Sequence, residues 1–208
     1  MKIFGLQKMT LLDYPGRVAC TVFLGGCDFR CPFCHNFELV DGTARPVMEE
    51  NELLSFLKKR SGILDGVAIT GGEPCLHHDL PDLIRHIREL GFPVKLDTNG
   101  FLPEMLEKLL KESLVDYVAM DIKNRKEKYA MTCGLETMDL SKIDQSMQLL
   151  KSGNIDYEFR TTVARELITY EDFLCIARWI NGAKAYFLQP YRESKQVLQK
   201  GFNTYFNL

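Results

Sequence analysis

Apolar positions recur along this chain in two alternating rhythms. Short runs rich in β-branched and aromatic residues fall at 18–24, 67–69, 94–96, 117–120, 157–159 and 185–188, and each predicts a strand. Between them apolar residues return every third and fourth position, the spacing of a helix face. Leu80, Leu83, Ile84, Ile87 and Leu90 form one such face, and Leu102, Met105, Leu106 and Leu109 another, with Pro103 near the start, where its missing N–H costs little. Shorter stripes lie at Leu53, Leu54 and Leu57, at Ile143, Met147 and Leu150, and at Phe173, Ile176, Ala177 and Ile180. Six strands joined by helical crossovers imply parallel pairing with right-handed connections. Six is short of the eight that close a barrel, so the α/β fold expected is a partial (β/α)6 barrel of parallel strands with an open side. No linker, repeat or low-complexity stretch divides residues 1–208, which predicts a single domain. The longest non-periodic stretch, 124 to about 140, reads as a flexible loop.

Three cysteines follow the first strand and a Gly25-Gly26 turn, as Cys27-x3-Cys31-x2-Cys34. Irons of a cubane cluster are normally each held by a Cys thiolate, so three thiolates would leave one iron open for chemistry. The loop alone also admits a c-type haem site at Cys31-Pro32-Phe33-Cys34-His35, a redox dithiol, or a zinc set of Cys27, Cys31, Cys34 and His35.

Other polar residues gather where loops leave a parallel sheet, at the C-terminal strand ends. Gly71-Gly72-Glu73 follows the second strand, Asp97 the third, Asp121 and Lys123 the fourth, Arg160 the fifth and Gln189 the sixth. Singly, Asp97 or Asp121 would pass for a turn former or helix cap. Six polar ends on one face, above an apolar floor, predict one site. Gly71 and Gly72 would admit a ligand close to the backbone, and Glu73 offers an acceptor to an ammonium group.

Composition narrows the classes. Nearly half the residues are apolar, which excludes a disordered chain. A formal charge of −2 gives no general attraction to nucleic acid or anionic membrane, so a partner must be recognised by shape. No apolar run approaches the roughly 20 residues that span a bilayer, and the N-terminus has no signal-peptide core; a cytoplasmic location is expected. Thiols stay reduced there, so the seven cysteines need not pair. Cys20 and Cys175 read as small buried hydrophobes, Cys75 as a neighbour of the site, and Cys133 as a loop residue. The basic run from Lys123 to Lys128 reads as a solvated loop, with a docking patch as the sharper alternative.

The cysteine triplet, with Phe33 before its last member, followed by Gly71-Gly72-Glu73-Pro74, resembles the radical S-adenosylmethionine (SAM) superfamily. Leu12-Asp13-Tyr14-Pro15-Gly16, Cys34-His35-Asn36, Asp97-Thr98-Asn99-Gly100 and Met120-Asp121-Ile122-Lys123 resemble its glycyl-radical-enzyme activating branch. Within that branch, the short chain and Leu188-Gln189-Pro190-Tyr191-Arg192 look most like activating proteins of anaerobic ribonucleotide reductase. The resemblance implies a 4Fe-4S cluster on Cys27, Cys31 and Cys34, with SAM at the open iron. It implies Gly71, Gly72 and Glu73 on the SAM amine, the backbone beside Phe33 on adenine, and Asp97 and Asp121 on the ribose or a monovalent cation. Lys123 and Arg160 would offer positive charge to a carboxylate or partner peptide. Arg192 departs from the pyruvate formate-lyase activating pattern, which has His after the Pro-Tyr pair. The implied reaction is reductive cleavage of SAM to methionine and a 5′-deoxyadenosyl radical. That radical would take hydrogen from a glycine of a glycyl radical enzyme, most like anaerobic ribonucleotide reductase, with electrons from a low-potential donor such as flavodoxin or ferredoxin. The alternatives are a radical SAM enzyme for another glycyl radical enzyme or a small molecule, and a non-catalytic electron-transfer or zinc-stabilised module.

Overall fold

A computed structural model of the chain describes residues 1–193 and 197–203. Strands β1 (Lys2–Ile3) and β4 (Met48–Glu49) pair antiparallel at the periphery. The main sheet runs in the order β2 (Gly5–Thr10), β3 (Ala19–Leu24), β5 (Gly66–Gly71), β6 (Val94–Thr98), β7 (Tyr117–Asp121), β8 (Asp156–Val163) and β9 (Tyr186–Pro190). From β3 to β9 every neighbouring pair is parallel and in chain order. Each right-handed crossover thus advances the sheet by one strand and puts its helix on the same side, which is how a barrel winds. The helices are α1 (Phe37–Asp41), α2 (Glu50–Lys58), α3 (Leu80–Glu89), α4 (Pro103–Lys111), α5 (Lys126–Thr132), α6 (Ser141–Ser152) and α7 (Tyr170–Trp179). The partial barrel of six parallel strands is the architecture expected.

Three features depart from the expectation. Strand β2 adds an antiparallel edge to β3; its exposed Gln7, Lys8 and Met9 break the apolar pattern that marks buried strands. The parallel strands run further at their C-terminal ends than their apolar stretches. Asp97, Asp121 and Arg160 are therefore rungs of the sheet, with Asp121 opposite Arg160 and Asp97 opposite Ala119. Finally, 124–140 is not a flexible loop. It holds α5, whose Tyr129 and Thr132 are buried, along with Asn124 and Cys133. No helical apolar stripe marks it; the buried Tyr129 anchors it and ion pairs tie it down, Arg125 and Lys128 both reaching Asp172, at 2.9 and 2.6 Å, and Lys126 reaching Asp144 at 2.8 Å. The basic run is thereby paired within the fold.

Helix α3 shows how the pattern becomes structure. Leu80, Leu83, Ile84 and Ile87 are buried on one face, and Pro81 sits in the first turn, where no N–H is needed. Among the described residues no helix is long and apolar enough to cross a membrane.

Candidate active site

A cavity of about 440 Å³ opens inside the half-barrel, within the range of about 300–1,000 Å³ that ligand sites occupy. Cys27, Cys31 and Cys34 all line it, and so do Phe33, Gly71, Gly72, Asp97, Asp121, Lys123 and Arg160. Of the residues expected at the site, Glu73 alone is turned away from the cavity. The other four cysteines do not line it either.

The cysteine loop is braced from several sides. Gly26 N donates to Leu39 O at 2.7 Å, and Glu73 N donates to Gly26 O at 2.8 Å. His77 Nε2 donates to Gly25 O at 2.8 Å, Asn36 Nδ2 to Gly71 O at 3.0 Å, and Asn99 Nδ2 to Asp28 Oδ1 at 2.7 Å. From below, Arg30 N donates to Cys133 O at 2.8 Å. The C-terminal stretch closes another side. Gln199 N donates to Pro32 O at 2.8 Å, His35 Nε2 bonds the Arg192 carbonyl, and the His35 ring stacks on Tyr191 at 5.3 Å. The segment from Gly201 to Leu208 is described only as far as Asn203.

The Gly-Gly-Glu segment also braces the backbone around the cysteine loop. A Cβ on Gly71 would come within 2.2 Å of Leu24 O, and one on Gly72 within 1.9 Å of Gly26 O. Gly71 also has φ +123°, a region L side chains rarely adopt. The missing side chains thus let β5 meet the backbone that leads into the cysteine loop. The Glu73 side chain is buried and accepts from Cys75 N at 2.9 Å, Thr98 Oγ1 at 2.8 Å and Asn99 N at 2.7 Å. It locks the ends of β5 and β6 together and offers no free oxygen edge to the cavity. Burial pushes its carboxyl up to about 7, against the pull of these donors.

The barrel interior is polar, not an apolar floor. Arg160 stands between two carboxylates, with Nη1 3.2 Å from Asp97 and Nε 3.1 Å from Asp121. Lys95 also pairs with Asp97, Lys123 sits 2.8 Å from Asp121, and Tyr117 OH donates to Glu158 at 2.6 Å. Burial works against a charged Asp121, yet Lys123 and Arg160 overcome it and hold the carboxyl at about 2. Arg160 thus bridges Asp97 and Asp121, the two acids to which the resemblance gives the ribose or a monovalent cation. The apolar rhythm of the sequence does not mark Lys95 and Glu158, nor the part Tyr117 plays. Their signal was the period-two alternation of polar residues inside the strands, Lys95 with Asp97 and Glu158 with Arg160 and Thr162.

The family model for the radical SAM superfamily matches residues 21–180. The chain belongs to that superfamily. A Methanocaldococcus jannaschii protein provisionally named a glycyl-radical enzyme activating enzyme is 35% identical over 206 residues, covering 96% of this chain and 83% of that protein. The 7-carboxy-7-deazaguanine synthase of Thermococcus kodakarensis is 27% identical over 208 residues, covering 88% of this chain and 78% of that enzyme. The crystal structure of Streptococcus suis SuiB superposes with a TM-score of 0.69 at 16% identity, covering 89% of this chain and 42% of that one. At that identity the likeness is one of fold.

Radical SAM proteins carry a cluster and SAM, and the residues here fit both. Three thiols share one cavity wall, and a cubane gives each thiolate its own iron, so the sulfurs need not converge on a point. Among the described residues no three His, Cys, Asp or Glu side chains gather to hold a single metal ion. His35, the fourth member of a zinc set, is engaged with the Arg192 carbonyl.

Proposed function

We propose that this radical SAM protein activates a glycyl radical enzyme, with anaerobic ribonucleotide reductase as the partner and a low-potential flavodoxin or ferredoxin as electron donor. The observation that carries the reading is the set of three thiols, from one loop, on the wall of a polar cavity in an open-sided half-barrel. The likeness to the M. jannaschii activating enzyme over nearly the whole chain supports the reaction class.

When bound, the cluster and SAM would supply a one-electron cleavage that yields a carbon radical able to take hydrogen from a glycine Cα. The chain's own residues do the rest. Cys27, Cys31 and Cys34 would hold the cluster, and Phe33, buried between the last two, would wall the adenine side. Gly71 and Gly72 would present backbone, not side chains, to the SAM amine. Lys123 and Arg160 are kept protonated by Asp121 and Asp97, burial notwithstanding, and face the cavity as fixed positive charge for a carboxylate. Glu73 acts through the loops it ties, and not by touching the ligand.

Anaerobic reconstitution should give a four-iron spectrum that SAM perturbs, and Cys31→Ala should abolish it. With dithionite, SAM and the reductase, a doublet glycyl signal should appear in electron paramagnetic resonance. A zinc-only protein indifferent to SAM would refute the reading. The similarity to 7-carboxy-7-deazaguanine synthase favours a second reading, a radical SAM enzyme for a small molecule; its mark would be 5′-deoxyadenosine without any protein radical.

A further inference from the structure

The two rims of the half-barrel end differently. Strand β2 is blunted as sheet edges usually are: it carries the exposed Lys8, and its register against β3 shifts between Gln7 and Thr10. Strand β9, at the other end of the sheet, reads Tyr186-Phe187-Leu188-Gln189-Pro190, carries no charge and pairs with β8 without a break in register. Phe187 and Leu188 are 51% and 41% exposed. Two bonds fix which backbone groups β9 leaves free. Phe159 N donates to Ala185 O, and Tyr191 N donates to Val163 O, so the odd-numbered residues of β9 face β8. The alternate residues of a parallel ladder turn their N–H and C=O groups the other way. Tyr186 and Leu188 are those residues, and among the described residues no strand lies beyond them. Pro190 has no N–H and ends the template.

We infer that the free edge of β9 is the docking strand for the partner's glycine segment, which adds to the sheet as an extended strand. The inference rests on the glycyl-radical reading above. Strand addition draws its affinity from main-chain hydrogen bonds, so it takes a backbone rather than one particular side chain. It also delivers that backbone to the site. Gln189 lines the cavity, and Phe187, two residues earlier, shares its face; in register with them on β8 lie Thr162 and Arg160, which line the cavity too. A strand added about 4.8 Å beyond β9 sets its own inward residues at the open side of the same cavity. A glycine there turns only hydrogen toward the cavity. A second copy of this chain would have to hold on by the same short edge, far less than the roughly 1,200 Å² that stable interfaces bury. A brief contact suits a catalyst that must release each partner once it is activated.

The test compares Leu188→Pro with Leu188→Ala. Proline removes an outward N–H, leaves the ladder of the odd-numbered residues to β8 intact, and sits where an edge strand tolerates it. Alanine shortens the side chain and keeps the N–H. Each variant, with its cluster reconstituted, is titrated with full-length anaerobic ribonucleotide reductase. Leu188→Pro should raise the reductase concentration for a half-maximal glycyl signal about tenfold. Its formation of 5′-deoxyadenosine without reductase should stay at the wild-type rate, and Leu188→Ala should change little in either assay. In wild-type hydrogen exchange, the Tyr186 and Leu188 amides should exchange freely in the isolated protein and gain protection with reductase, a measurement that stands even if the proline variant does not fold. A wild-type titration in Leu188→Pro, equal losses in both variants, or protection that appears at β2 or nowhere would overturn the inference. So would a wild-type dimer in light scattering that Leu188→Pro dissolves, which would assign the edge to a second copy. A wild type that puts no glycyl signal on the reductase overturns the functional reading and the inference with it, whereas the outcomes above leave that reading standing.

Discussion

Replacing Glu73 tests the tie between the sheet and the cysteine loop. Its carboxyl has an ordinary value of 4.5 and is pushed up to about 7 in the folded chain, chiefly by burial. The folded protein therefore holds more protons than the unfolded one between these values. Stability contributed by this group is complete below pH 4.5, falls as pH rises, and is level above about 7. At 1.36 kcal/mol per pH unit the loss amounts to about 3 kcal/mol. Glu50, Asp121 and Asp172 are held below their ordinary values, so their losses come at more acid pH and leave this window clear. Glu73→Gln cannot titrate, and its urea unfolding free energy should be flat from pH 4.5 to 8 while that of the wild type declines. Glu73→Ala orphans three buried donors at about 1–3 kcal/mol each, a combined loss on the order of 3–9 kcal/mol at any pH. The assay is equilibrium urea unfolding of the reduced, cluster-free protein, followed by circular dichroism. A wild-type curve that does not fall over this range, or a glutamine variant with the same slope, would refute the reasoning.

Three further outcomes follow from the same geometry. Gly72→Ala puts a Cβ 1.9 Å from Gly26 O, so the loop must shift; overpacking of this kind costs about 1–3 kcal/mol, and iron uptake on reconstitution should drop while far-ultraviolet circular dichroism stays native. Arg160→Ala leaves two carboxylates without their shared partner, a loss of about 3–5 kcal/mol for a broken buried pair. Asp121 then titrates at higher pH, so acid unfolding should begin earlier, and Arg160→Lys should recover only part because an ammonium cannot bridge both sites. Leu83→Ala, at a fully buried position, should lose about 2–5 kcal/mol of unfolding free energy as a core cavity, without changing the cluster spectrum.

The frame of the molecule was legible because buried parallel strands and one-sided helices write plain periods into a sequence. The runs at 94–96 and 157–159 marked real strands, and Leu80, Leu83, Ile84 and Ile87 marked the buried face of α3. What escaped has a common cause. Lys95, Asp97, Glu158 and Arg160 point into the barrel, so polar residues sit where an apolar rule ends the strand. Asn124 to Cys133 packs through ion pairs, one buried tyrosine and backbone bonds, which leave no period to read. Glu73 was placed at the site by its neighbours in the motif, but which way a carboxylate turns depends on donors from Thr98 and Asn99, a strand away. The bond from Arg30 N to the Cys133 carbonyl joins segments far apart in the chain, and nothing in the spacing of either announces it.

The stays on the cysteine loop come from far downstream: Glu73 on Gly26, Cys133 on Arg30, Gln199 on Pro32. A nascent chain emerging from the ribosome would expose its three thiols long before those stays exist. The braced form of the loop thus exists only when synthesis is almost finished, and chains stalled before residue 133 should retain little iron when isolated without air.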